Sequence, residues 1–222
     1  SSSAASDVYK RQTINYITIA SEGNGVDFGN LTSNNYGAGG HSSSTRGIWA
    51  GGHNGREETT TMCLIPVVAE SVSFPVIAAG GIGSGKAMAA AFSLGAEGVQ
   101  IGSRFVVTPE SSAHINFKNA IVDANEGETE LTLKELTPVR LMKNKFYHQI
   151  QDAYSNNASN NELKEILGRA RAKIGMFEGD LDEGELEIGQ ISSAISDIKP
   201  AHLIVQEIMQ EFHLTISQLQ KY

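Results

Sequence analysis

The 222-residue chain has one cysteine, Cys63, and one tryptophan, Trp49. A single cysteine excludes an intrachain disulfide and fits a reducing, cytoplasmic setting. Positive charge is scarce: 17 Lys and Arg stand against 25 Asp and Glu, a formal net charge of −8. That balance argues against a nucleic-acid partner, which calls for a basic surface. No run is long or apolar enough to cross a membrane as a helix, so no membrane partner is expected. The opening residues, SSSAASDVYKRQ, lack the apolar core of a signal peptide. No His, Cys, Asp or Glu grouping has metal-ligand spacing, and no metal is expected. Hydrophobic residues make up 40 % of the chain, enough to build the core of one large domain or two small ones.

What is present falls into two textures. Residues 1–12 are set aside as non-native or disordered, since DVYKRQ resembles a stretch that recurs at the ends of environmental sequence assemblies. Residues 13–49 are rich in Gly, Ser, Asn and Thr. Tyr16–Ala20 reads as a strand, Ser21–Gly25 as a turn, and Ser42–Ile48 as a turn-and-strand pair. From residue 50 the texture becomes α/β. Leu64–Val72 has helical spacing, with Pro66 suited to a first turn. Phe74–Ala79 reads as a strand buried on both faces. Ser84 can cap a helix running to Leu94 and ended by Gly95. Gly98–Ile101 reads as a second short buried strand, and strand–helix–strand with short connections implies a parallel sheet. Ser112 can cap a helix over 113–124, and Leu131–Leu133 is a weak strand. Further helices are expected near 143–154, 161–172 and 200–212. The acidic stretch 178–187, EGDLDEGELE, reads as a solvated, partly turn-like segment.

Two strand ends carry glycines: Ala79-Gly80-Gly81, and Gln100-Ile101-Gly102-Ser103. A phosphate monoester needs several backbone N–H groups converging on one point with no β-carbons in the way. Glycines after adjacent parallel strands, beside helix N-termini, provide that arrangement. The last two loops of a (β/α)8 barrel often form such a site. The same glycines serve equally well as tight turns, and spacing alone does not choose between the two roles.

Residues 50–105, AGGHNGREETTTMCLIPVVAESVSFPVIAAGGIGSGKAMAAAFSLGAEGVQIGSRF, resemble the nitronate monooxygenases, once called 2-nitropropane dioxygenases. The likeness continues through Ala113-His114, Pro138-Val139-Arg140, RAKIGMFEGDLDEGELEIGQ and IKPAHLIVQEIM, to about residue 213. It implies the C-terminal part of an FMN-binding TIM (β/α)8 barrel plus a helical extension, preceded by a short unrelated β-rich segment. It implies FMN, with the phosphate near Gly80, Gly81, Gly102 and Ser103 and with Ala79 and Gln100 beside it. In Ala50-Gly51-Gly52-His53-Asn54-Gly55 it implies that His53 is the catalytic base, while Gly51 and Gly52 let the main chain approach the flavin ring. The implied substrates are a nitronate or nitroalkane and O2, with a homodimer as the implied assembly. A flavin-type enoyl-acyl-carrier-protein reductase is the alternative within the same kind of barrel.

Ala-Gly-Gly-His occurs twice, at 38–41 and 50–53, and only the second copy continues into the family's motif. Residues 13–49 resemble one blade-sized unit of kelch-like surface repeats. We therefore read a junction near residue 50 between a foreign β-rich segment and the barrel, against the alternative of a natural loop insertion. His41 is then incidental. A non-enzymatic fragment of a surface-repeat protein is a third reading. A full barrel needs roughly 250 residues, so the isolated chain is expected to be marginal, inactive or weak in FMN binding. Of the remaining chemistry-bearing residues, His114 is expected at a helix cap or on the surface. His148, His202, His213 and Lys86 are expected at the surface, Cys63 as a small buried side chain, and Arg104 in an ion pair.

Overall fold

A computed structural model describes residues 13–16, 26–30, 41–43, 46–50 and 59–221. The chain divides into two units, 1–36 and 37–222. In the first, strands β1 (Thr13–Tyr16) and β2 (Val26–Asn30) pair antiparallel. The second unit holds a four-stranded sheet in the order β3-β4-β5-β6, from β3 (His41–Ser43), β4 (Arg46–Ala50), β5 (Val76–Ala79) and β6 (Gly98–Gln100). Strands β4, β5 and β6 are mutually parallel, as the strand–helix–strand pattern predicts. The sheet takes in Arg46–Ala50, and its parallel part starts at Gly47, three residues upstream of Ala50, where the composition changes.

Parallel neighbours need crossovers, and helices supply them. Helix α1 (Thr61–Ser71) joins β4 to β5, and α2 (Gly85–Ser93) joins β5 to β6. Helix α1 starts earlier than the apolar spacing suggests, because the carbonyl of Thr60 accepts from the N–H groups of Cys63 and Leu64. Pro66 consequently sits mid-helix and not in its first turn. It removes one i→i−4 bond at a helix where Met62 and Val67 face solvent. Cys63 is exposed, not buried. Ser84 caps α2 as expected, its hydroxyl accepting from the Ala87 N–H at 3.1 Å. Gly95, at φ 100°, follows the helix end. Strand β6 differs from expectation: Gly98 and Val99 are half-buried and Gln100 is exposed, since β6 is the edge of the sheet among the described residues.

After β6 come the one-turn helix α3 (Ser103–Val106), helix α4 (Ile115–Val122), and an antiparallel pair, β7 (Thr129–Thr132) with β8 (Val139–Met142). His114, not Ser112, caps α4, with Nδ1 accepting from the Asn116 N–H at 3.1 Å. Helices α5 (Lys145–Ser155) and α6 (Asn160–Leu167) follow, and Ser159 and Glu162 form a reciprocal capping box at the start of α6. Helix α7 (Ala201–Leu219) runs seven residues beyond its expected end. Phe117, Ile121, Leu186 and Ile188 form one buried cluster, and Leu141, Phe146 and Ile150 belong to another. Full burial of such a side chain stabilises by roughly 1.5–3 kcal/mol.

Half of the acidic stretch is not solvated. Gly184 lies directly against Gly175, where a β-carbon on Gly184 would sit 2.1 Å from the Gly175 Cα. The chain turns inward there, and Leu186 and Ile188 enter the core with Glu185 between neighbours, only 9 % exposed. Burial, reinforced by the charge of Glu187 and opposed by Arg171, pushes the Glu185 carboxyl up to about 8. Burial also raises Glu187.

Helix α7 packs closely on α2 at Gly85, where a β-carbon would fall 2.3 Å from the Phe212 nitrogen and 2.4 Å from the Ile208 oxygen. Backbone cannot yield as a flexible side chain can. Gly85→Ala is therefore expected to cost about 1–3 kcal/mol, read as a lower urea midpoint at unchanged slope. The unfolded chain releases the Glu185 proton near 4.5, whereas the folded protein keeps it to about 8. Stability therefore falls as pH rises between those values and levels off above the higher one. Glu185→Gln should flatten that decline in denaturation curves taken at a series of pH values; an unchanged slope would show that Glu185 is ionised when folded.

Candidate functional site

The parallel register decides what lies at the end of the sheet. Ala50 is opposite Ala79, and Ala79 is opposite Gln100, so β4, β5 and β6 end in one row. Parallel strands stand roughly 4.8 Å apart. The Gly80-Gly81 turn and the Ile101-Gly102-Ser103 turn thus leave the same edge as direct neighbours. Gly80 and Gly81 have φ of 110° and 72°, a backbone that side chains with a β-carbon rarely adopt. Among the described residues, a β-carbon added at Gly81 or at Gly102 would meet nothing within 4 Å, so none of them fills the space in front of these two glycines.

Neighbouring residues hold the corners in place. The Thr61 hydroxyl donates to the Gly80 carbonyl at 2.8 Å, tying the first corner to α1. The Ser103 hydroxyl accepts from the Gly189 N–H at 3.1 Å. A β-carbon at Gly83 would lie 2.7 Å from Cγ1 of Ile191. The segment Gly189–Ile191 thus borders both corners. Sequence reasoning assigned no role to it, because nothing local marks contacts spanning 86 residues. Arg104, just past the second corner, donates to the Asp197 carbonyl at 3.0 Å and pairs with its carboxylate. Lys199 and then Arg104 hold the Asp197 carboxyl below the usual range. Arg104 is thus engaged in an ion pair, as expected.

Of the residues singled out from the sequence, Ala79, Gly80, Gly81, Gln100, Gly102 and Ser103 come together at this edge. Ala79 is at the buried end of β5, Gln100 is exposed, and Gly81 and Gly102 are exposed at the corners. Gly51, Gly52 and His53 lie outside the described residues, directly after the end of β4. His114 serves as a helix cap, and His148, His202 and His213 are exposed. Lys86 is exposed, 3.7 Å from the Glu211 carboxylate. Among the described residues no His, Cys, Asp and Glu group could hold a metal, and no helix is long and apolar enough to cross a membrane.

The chain is similar to known proteins in sequence and in fold. The sequence is 31 % identical over 176 residues to a protein of Staphylococcus saprophyticus described as a probable nitronate monooxygenase, covering 74 % of this chain and 49 % of that one. It is 32 % identical over 174 residues to a probable nitronate monooxygenase of Bacillus subtilis, covering 75 % of this chain and 50 % of that one. The chain thus spans about half the length of the curated relatives it matches. Among solved structures, FabK from Thermotoga maritima superimposes with a TM-score of 0.74 at 39 % identity, over 80 % of this chain and 57 % of that one. Nitroalkane oxidase from Streptomyces ansochromogenes superimposes with a TM-score of 0.63 at 26 % identity, over 79 % of this chain and 54 % of that one. The fold is the C-terminal part of the flavin-binding TIM barrel of these enzymes. The family model for nitronate monooxygenase matches residues 42–211, and the chain belongs to that family.

Proposed function

We propose an FMN-dependent oxidoreductase of the nitronate monooxygenase type, oxidising nitronates and nitroalkanes with O2. One observation carries the reading: two glycine corners side by side at the end of a parallel sheet, with no described residue crowding Gly81 or Gly102. A doubly charged phosphate monoester fits such a place, because backbone N–H groups can converge on it without β-carbons between them. In this reading Gly80, Gly81, Gly102 and Ser103 hold the FMN phosphate, with Ala79 and Gln100 alongside. Gly51 and Gly52 follow β4 in sequence and let the main chain lie close to the ring. The His53 imidazole takes the proton from the carbon alpha to the nitro group, a transfer suited to a base that titrates near neutrality. Bound FMN supplies the redox chemistry between nitronate and oxygen; the chain binds, orients and moves the proton.

A second reading has its own support. Identity to FabK, 39 %, exceeds identity to the nitroalkane oxidase, 26 %. It favours a flavin-type enoyl-acyl-carrier-protein reductase on the same corners. Oxygen uptake with a nitronate and no nicotinamide supports the first reading, whereas NADH consumption with a crotonyl thioester supports the second.

Gly102 has an ordinary φ and space for a side chain, so Gly102→Val should leave the thermal midpoint nearly unchanged. The same side chain should weaken FMN binding at least about tenfold by intruding on the phosphate. Undiminished FMN affinity would remove the phosphate from this corner. His53→Asn should slow oxidation of neutral nitroalkanes much more than oxidation of the pre-ionised nitronate, and equal losses would refute proton abstraction by His53.

A further inference from the structure

Helix α7 makes a reciprocal pair of contacts with the segments that follow the two corners. A helix start leaves several N–H groups without an intrahelical acceptor, and α2 begins four residues after Gly81. Its first two amides do not wait for a ligand. Oε2 of Glu211, from α7, accepts from the N–H of Gly85 at 2.7 Å and more weakly from that of Lys86 at 3.4 Å. The Ser84 hydroxyl takes the Ala87 N–H. The positive end of α2 is therefore capped within the chain, and that cap comes from a helix 126 residues away in sequence. At the N-terminus of α7 the roles reverse. The carboxylate of Glu110, four residues past α3, accepts from the N–H of Ala201 at 3.1 and 3.2 Å. Charge-assisted bonds of this kind are stronger than neutral ones and fixed in direction.

This 19-residue helix is thus tied by one carboxylate at its N-terminus, through Ala201, and by another at its middle, through Glu211. The Glu211 tie reaches the element that follows the Gly80-Gly81 corner. The Glu110 tie reaches the segment that follows the Gly102-Ser103 corner. Arg104 to Asp197 fastens the approach to α7 on the second side, and the glycine contact at Gly85 leaves no slack on the first. Spacing between the corners matters only to a ligand gripped by both of them.

We infer that α7 is a brace that sets the separation of the two glycine corners, with Glu211 and Glu110 as positioning residues for the phosphate grip. This inference rests on the phosphate reading of the corners given above. Riboflavin shares the ring of FMN and lacks its phosphate, so the two ligands separate the grip from the rest of the site.

The test is flavin affinity, by fluorescence quenching, in the full 222-residue chain and its Glu211→Ala and Glu110→Ala variants. The unaltered protein should bind FMN more tightly than riboflavin. Each substitution should weaken FMN about tenfold while leaving riboflavin unchanged. Equal weakening of both ligands would reduce the two carboxylates to general stabilisers and overturn the inference, as would no change in either. Should Glu211→Ala unfold the protein, the Glu110→Ala variant decides alone, since Glu110 is exposed. An unaltered protein that binds FMN no better than riboflavin would overturn the phosphate reading itself. An FMN preference that neither variant alters would overturn the brace alone.

Discussion

Three parallel strands ending in register are the constraint on which the rest of this structure hangs. Ala50, Ala79 and Gln100 stand side by side because β4, β5 and β6 run the same way with matched pairing. Parallel pairing forces each connection to cross back through a helix, so every turn into a helix leaves from the same edge. Turns far apart in sequence are gathered there. A one-residue slip of β6 would reverse which side chains face the core and carry Gly102 away from Gly81.

Around that edge the packing is closest where side chains are missing. Gly85 brings α2 against the backbone of α7, and Gly184 meets Gly175 where the acidic segment turns into the core. Each contact commits the structure to a neighbour distant in sequence. The second also has an electrostatic cost. Glu185 enters the core with Leu186 and Ile188 and takes its carboxyl with it, so a group that would be ionised in water keeps its proton near neutrality. Leu186 and Ile188, buried in the same segment, each contribute roughly 1.5–3 kcal/mol against that cost.

The glycine corners were legible because local chemistry and global placement agree. A strand, a glycine pair and a capping serine in close succession specify strand end, turn and helix start, and Ser84 does cap α2. The capping box of Ser159 and Glu162 is equally local, although only a helix near 161–172, and not its cap, is expected from the sequence. The change of texture at residue 50 was less informative, since the backbone of Arg46–Ala50 pairs with β5 although the surrounding composition is that of a Gly- and Ser-rich segment. Pro66 misleads for a related reason: helix α1 starts from Thr60 to serve the sheet crossover, and proline is carried inside it. The roles of Gly189 and Ile191 could not be read locally, because their partners Ser103 and Gly83 are 86 and more residues away.

By itself the sequence determines the strand–helix–strand order over residues 76–100, the positions of the glycine turns and most helix starts, but not the strand Val139–Met142 or the short helix Ser103–Val106. These depend on residues within a few positions of one another, where backbone geometry and capping act. Only the tertiary structure decides that Ala79 lies opposite Gln100, that Glu211 reaches the first amides of α2, and that Glu185 is buried. Those outcomes depend on which surfaces meet when the chain closes, and no short stretch of residues encodes a distance across the fold.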